Sequence, residues 1–192
     1  MNPKNIVIIG SSAGGPRILK SIFQDLPLLD SVIIIIQHMP KFVNESLCQG
    51  LDNLTDMSVV IAQDGEELQS GTVYIAPSEV HLELEENMKV KLSKGDKINY
   101  VCPSVDVTMR SLEKQSDSVI IGVVLTGMGR DGANGITHIK RINGVTIAQD
   151  EKSSIIFGMP KEAIQTGQVD WVLDPYQIKI KIIELVGKMN VK

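Results

Sequence analysis

Four consecutive β-branched residues, Ile6-Val7-Ile8-Ile9, run without a polar interruption into Gly10 and then into the turn Ser11-Ser12-Ala13-Gly14-Gly15-Pro16. A strand that is apolar at every position has both faces covered, which is the habit of parallel sheets flanked by helices. The pattern returns at residues 31–36 (Ser-Val-Ile-Ile-Ile-Ile) and at 118–125 (Ser-Val-Ile-Ile-Gly-Val-Val-Leu). Between the strands the periodicity turns helical. Ile18, Leu19, Ile22, Phe23 and Leu26 place a helix over 16–26, which Pro27 stops, and 41–54 reads as a second helix before a short strand at 58–62. Strand and helix in alternation predict an α/β fold with a mostly parallel sheet.

The pattern changes after Gly71. Residues 73–76 are apolar, and 80–84 and 88–92 then alternate apolar with polar, which predicts a half-exposed antiparallel hairpin inserted in the α/β order. His81 is expected on the polar side of that hairpin as a solvated strand residue. A helix over 104–114 follows, with Ser104 as its cap and Asp106 near its positive end. Beyond the strand at 118–125, helices are expected at 136–142 and from the Phe157-Gly158-Met159-Pro160 turn through 166. Strands are expected at 145–148 and 170–173, and an amphipathic helix at 178–188. His138 reads as an ordinary helix residue. With no repeat, linker or low-complexity stretch, residues 1–192 are expected to form one domain.

Composition removes several classes of function. Net charge is −4 and the charges are dispersed, so no basic stripe awaits a nucleic acid. The longest apolar runs fall far short of the ~20 residues of a membrane span, and no secretory signal opens the chain. A cytoplasmic protein without membrane insertion is expected. Cys48 and Cys102 are too few for a disulfide framework, and His38, His81 and His138 share no ligand spacing with them, so neither a metal nor a cofactor is expected.

Three readings compete for the first turn. Glycines ahead of a helix can cradle a phosphate, but the spacing Gly-x-x-x-Gly-Gly is not G-x-G-x-x-G, no P-loop Lys follows, and the second strand ends in Gln37-His38 instead of a ribose-binding acid. Gly10-Ser11-Ser12-Ala13-Gly14 matches G-x-S-x-G, a turn that lifts a serine hydroxyl clear of a strand-to-helix corner. The third reading leaves Ser11 or Ser12 as a plain helix cap. A base and an acid elsewhere must decide. His38 follows the second buried strand and Asp131 follows the strand at 118–125, so both arrive at the same sheet rim as Ser12. A serine hydroxyl needs an imidazole to take its proton and a carboxylate to hold the imidazole in the right tautomer. Gly14, Gly15, Gly127 and Gly129 leave backbone N–H groups open to a developing oxyanion, with Met128 the leading donor and Ala13 a second candidate. The order Ser, His, Asp differs from that of α/β-hydrolases, where the acid precedes the histidine.

Six motifs in order, Gly10–Gly15, Gln37-His38-Met39-Pro40, Tyr74-Ile75-Ala76-Pro77, Pro103-Ser104-Val105-Asp106, Leu125–Ala133 and Phe157-Gly158-Met159-Pro160, make the chain resemble the catalytic domain of CheB, the chemotaxis protein-glutamate methylesterase family. The resemblance implies a Rossmann-like doubly wound fold and a Ser12, His38, Asp131 triad. It also implies demethylation of glutamyl methyl esters on chemoreceptor cytoplasmic helices with release of methanol, often accompanied by deamidation of receptor glutamines. The alternative is a non-catalytic peptide- or phosphate-binding module of the same fold. Ala13 stands where members often carry Thr, and Cys102 replaces a basic residue often found before Pro-Ser-Val-Asp. Many members carry an N-terminal receiver domain whose phosphorylation controls access. Residues 1–5 leave no room for one, so activity without phosphorylation is expected.

Overall fold

The computed structural model describes Pro3 and residues 5–85, 87–114 and 118–189. The single-domain expectation for 1–192 therefore extends over a few residues that lie outside the described ones. The chain runs β1 (Ile6–Ser11), α1 (Gly15–Phe23), β2 (Val32–Gln37), a 3₁₀ turn (Lys41–Val43), α2 (Asn44–Asp52), β3 (Ser58–Ile61), β4 (Thr72–Ile75), β5 (His81–Leu84) and β6 (Val90–Ser93). It continues through α3 (Val105–Ser111), β7 (Ile120–Val124), α4 (Ala133–Arg141), β8 (Val145–Gln149), α5 (Met159–Gln165), β9 (Trp171–Leu173) and α6 (Pro175–Val186). Seven strands form one all-parallel sheet in the order β3-β4-β2-β1-β7-β8-β9, and β5 with β6 forms a separate antiparallel pair. The α/β sheet and the inserted hairpin are those expected from the sequence.

The wholly apolar strands divide their side chains between two cores. Val7, Ile9, Ile33, Ile35 and Val123 pack on one face with Leu19 and Phe23 of α1, Leu47 of α2 and Ile182 of α6. Ile6, Ile8, Ile34, Ile36 and Val124 pack on the other with Leu82 and Leu84 of the hairpin, Met109 of α3 and Ile136 of α4. Alternate residues of a strand point to opposite faces, so a strand buried on both sides is apolar along most of its length. Each such side chain contributes roughly 1.5–3 kcal/mol over leaving it exposed.

Several elements depart from the sequence expectation. Residues 73–76 join the parallel sheet between β2 and β3 and take no part in the hairpin. The helix expected at 41–54 is a 3₁₀ turn followed by a helix from Asn44. Helix α4 begins at Ala133, because Gly132 turns the chain at φ 98 directly after Asp131. Helix α6 begins at Pro175, where Asp174 and Gln177 close a capping box.

His81 is buried, not solvated. Its Nδ1 accepts the N–H of Ser104 at 3.2 Å and its Nε2 donates to the carbonyl of Asp96 at 2.9 Å, so the ring ties the hairpin to the loop before α3. Ser104 is the N-cap residue of α3 and Asp106 lies in its first turn, as expected, but the Ser104 side chain makes no capping bond to that helix. Both turn toward the loop that follows β7, as described below.

At β1 the connections diverge: the chain leaves β1 for β2 on one side and returns much later as β7 on the other. In open α/β sheets a ligand crevice forms at the carboxyl ends of the strands at such a switch point.

Candidate active site

Ser12, His38 and Asp131 follow the carboxyl ends of β1, β2 and β7, three adjacent strands with β1 in the middle. Ser11 pairs with Gln37 in register, so Ser12 and His38 are the next positions of neighbouring strands, and His38 N–H still donates to the Ser11 carbonyl at 3.0 Å. On the other flank, Ser12 N–H donates to the Thr126 carbonyl at 3.0 Å.

The turn that holds Ser12 is fastened from both sides. Gln37 donates its amide to the carbonyls of Ser12 at 2.9 Å and His38 at 2.8 Å, and accepts the Ser11 hydroxyl at 2.7 Å. The Thr126 hydroxyl donates to the Ala13 carbonyl at 3.0 Å and accepts the Ile156 N–H at 2.9 Å. There is no room for side chains in this corner. A Cβ on Gly15 would stand 2.0 Å from Gln37 Oε1, and one on Gly127 would stand 2.3 Å from the Met159 sulfur and 2.7 Å from Ser12 Cβ.

Asp131 is nearly sealed from water at 2 % exposure, and its Oδ2 lies 2.9 Å from His38 Nε2. Four further donors converge on it. Oδ2 also accepts Val105 N–H at 2.7 Å, while Oδ1 accepts the Ser104 hydroxyl at 2.6 Å, the Asn99 amide at 3.1 Å and Asp106 N–H at 3.2 Å. Burial pushes this carboxyl up, but the hydrogen bonds from His38, Ser104 and Val105 outweigh it and hold the group below its ordinary value. An ionised carboxylate only accepts, so His38 Nε2 carries the proton and Nδ1 keeps its lone pair free for a serine hydroxyl. No hydrogen bond joins Ser12 Oγ to the His38 ring in this resting state; such contacts are often long until substrate arrives.

Met128 and Ala13, the expected oxyanion donors, are both exposed, and among the described residues neither N–H has a protein acceptor. An open cleft of about 440 Å³ lies beside His38 and is lined also by Lys41, Glu79, Lys97, Tyr100 and Cys102. Cys48 and Cys102 are free, and burial, before any nearby charge, raises both thiols. Among the described residues no group of three or more His, Cys, Asp or Glu is arranged to hold a metal ion. None of their helices is long and apolar enough to cross a membrane.

Sequence reasoning missed Gln37 and Thr126, which build the Ser12 turn, and Asn99, which reaches Asp131 from a loop with no periodic signal. Gln37 had a legible cue, a polar residue closing an otherwise apolar strand.

A parallel switch-point sheet that gathers Ser12, His38 and Asp131 at one rim defines the class of protein: an α/β domain with its candidate site at the strand ends. Residues 7–182 match the family model described as CheB methylesterase, and the chain belongs to that family. Among curated relatives, proteins named protein-glutamate methylesterase/protein-glutamine glutaminase are 46% identical over 185 residues in Thermotoga maritima, covering 94% of this chain and 54% of that protein. A relative of the same name in Pyrococcus horikoshii is 41% identical over 184 residues, covering 94% and 50%. The one in Salmonella typhimurium is 39% identical over 190 residues, covering 97% and 54%. The chain thus spans about half the length of the curated relatives it matches. The crystal structure of the Thermotoga maritima CheB methylesterase catalytic domain superposes with a TM-score of 0.89 at 46% identity, covering 94% of this chain and 98% of that one. The relatives' names are those of enzymes and lend no support to the non-catalytic module.

Proposed function

We propose that this chain is a serine esterase that hydrolyses glutamyl methyl esters on chemoreceptor cytoplasmic helices, with Ser12 as nucleophile, His38 as general base and then acid, and Asp131 as the orienting carboxylate. Ser12 Oγ attacks the ester carbonyl as His38 Nδ1 takes its proton. The tetrahedral oxyanion is met by the N–H groups of Met128 and Ala13. Collapse expels methanol, protonated by His38, and leaves a glutamyl ester on Ser12; water activated by the same ring then releases the free glutamate. A glutamine side chain enters the same sequence with ammonia as leaving group. The reading also makes the protein cytoplasmic, since its substrate lies there.

The observation that carries this reading is the 2.9 Å pairing of His38 Nε2 with a buried carboxylate, one strand over from a serine whose own hydroxyl is left available. The rim supports a protein substrate over a small ester. Phe42, Tyr100 and Met128, exposed at 86%, 94% and 77%, flank the three strand ends and offer apolar contact to a helix side.

A methylated receptor cytoplasmic fragment is the substrate to use. Wild type is expected to release methanol, and Ser12→Ala to lower the rate by several orders of magnitude with folding retained. A fluorophosphonate is expected to label Ser12 in wild type and nothing in Ser12→Ala. A folded wild type that resists the probe and releases no methanol would be a binding module.

A further inference from the structure

Asp106 is a second buried carboxylate directly behind the pair just described, and the mechanism does not use it. Its Oδ1 accepts two backbone N–H groups of another helix, those of Gly132 at 2.9 Å and Gly135 at 2.7 Å. Its Oδ2 accepts the Asn99 amide at 2.8 Å and the Asn134 amide at 3.4 Å. Gly132 is the residue after Asp131, so the Asp106 carboxylate anchors the turn from which Asp131 projects. The Asn99 amide touches both acids, at 2.8 Å to Asp106 and 3.1 Å to Asp131. Asn99 and the following Tyr100 both hold left-handed backbone, at φ 52 and 67, in a tight turn closed by Ile98 and Val101; Asn adopts that conformation readily, whereas it is an outlier for Tyr.

Satisfying the buried N–H groups of Gly132 and Gly135 takes one acceptor there, but a neutral acceptor would do it without setting two carboxylates in one dry pocket, where they repel and lose hydration. Burial first, and the charge of Asp131 after it, push the Asp106 carboxyl above its ordinary value against the N–H of Gly135. All four groups around it are donors, which suits the ionised form.

We infer that Asp106 is a positioning residue for the triad: it fixes the Asp131 turn and, bridged by Asn99, places a second negative charge behind the His38–Asp131 pair. That charge favours the imidazolium His38 becomes as it takes the serine proton. The inference rests on the triad reading given above. Other titratable groups border the same region: Arg110 on the helix of Asp106 itself, Glu83 on β5, Lys97 in the loop before α3, and Lys41 and Glu79 in the cleft beside His38, with His81 engaged to Ser104 N–H and the Asp96 carbonyl and His138 on α4 to the Leu112 carbonyl.

The test is Asp106→Asn, with Asn99→Ala beside it. With the methylated receptor fragment, Asp106→Asn is expected to lower kcat by about 10²-fold, the cost of a misplaced catalytic group, with KM little changed. Its pH–rate midpoint is expected to move toward acid, because removing a negative charge makes the imidazolium easier to discharge. Asn99→Ala keeps both carboxylates and removes their shared donor, so kcat is expected to fall while the midpoint moves toward alkali. A residue that only supports the fold would move neither midpoint. Ring ¹⁵N signals of His38, followed against pH in a Ser12→Ala background, read the same coupling without catalysis and separate failure of this inference from failure of the triad. A folded Asp106→Asn whose midpoints are unchanged would overturn the proposal whatever its kcat; if that variant does not fold, an unchanged midpoint in Asn99→Ala overturns it.

Discussion

A hydroxyl, an imidazole and a carboxylate at one sheet rim do not by themselves make a reactive serine; the dry, donor-rich seat of Asp131 is what gives them an order. Asp131→Asn is expected to lower ester hydrolysis on the order of 10⁴-fold, because an amide there favours the wrong ring tautomer of His38. Ser104→Ala removes the 2.6 Å hydrogen bond to Oδ1 and is expected to cost about 1–3 kcal/mol in denaturant unfolding, since it leaves a buried charge one donor short. The pH dependence of stability follows from the same seat. Asp131 titrates below its ordinary value when folded, so its contribution is complete above about pH 4 and is lost as pH falls through the folded value. Asp106 runs the other way, its cost appearing as pH rises from the unfolded toward the raised folded value. Urea unfolding followed from about pH 3 to 7 is expected to show a shallower acid loss in Asp131→Asn than in wild type. That Ser12, His38 and Asp131 share one rim was legible because each falls in a turn after an apolar run. Asn99, Asp106 and His81 were not, because their roles depend on which loop the fold lays against which helix, and Ser104 and Asp106 satisfy a local capping pattern that the tertiary contacts override.

At the scale of elements, β1, β2 and β7 were read closely because both their faces are covered and their runs are almost wholly apolar, whereas the hairpin strand that carries His81 misled. Alternation marks one face as polar, but that face is covered by the loop at Asp96 and by Ser104, and no periodicity encodes such a cover. The helices were found in place and misjudged at their ends, where left-handed Gly132 and the Asp174 box decide. The β7–α4 and β1–α1 turns also set tight limits on substitution. Gly127→Ala would drive a methyl into the Met159 sulfur and Ser12 Cβ; overpacking of this kind costs about 1–3 kcal/mol. Loss of esterase activity is expected to exceed what that stability loss explains, because the displaced neighbour is Ser12, the proposed nucleophile. Comparing residual kcat with the fraction folded, by circular dichroism at the assay temperature, checks this.

For the molecule as a whole, stability resides in two cores separated by one sheet. Phe23 is fully buried on the α1 face, and Phe23→Ala is expected to lower unfolding free energy by about 3–5 kcal/mol, read as a fall in the denaturant midpoint with little change in slope. The strand order adds a constraint of timing. Strand β1 is complete within the first dozen residues and can pair with β2 as soon as β2 exists, yet its other neighbour, β7, is more than a hundred residues further along the chain. On a ribosome, β1 must therefore wait with one edge unsatisfied until β7 has been made, and closing so long a loop is slow. The backbone amides record the two events separately. Val32 N–H and His38 N–H bond across to Asn5 and Ser11, whereas Ile6 N–H and Ser12 N–H bond to Val119 and Thr126 on the β7 side. In a pulsed hydrogen-exchange refolding experiment the first two amides are expected to be protected early and the last two late. The Ser12 turn would then be the seam at which the two flanks of the sheet meet, and an unfinished chain would hold Ser12 and His38 side by side without Asp131, the proposed orienting acid.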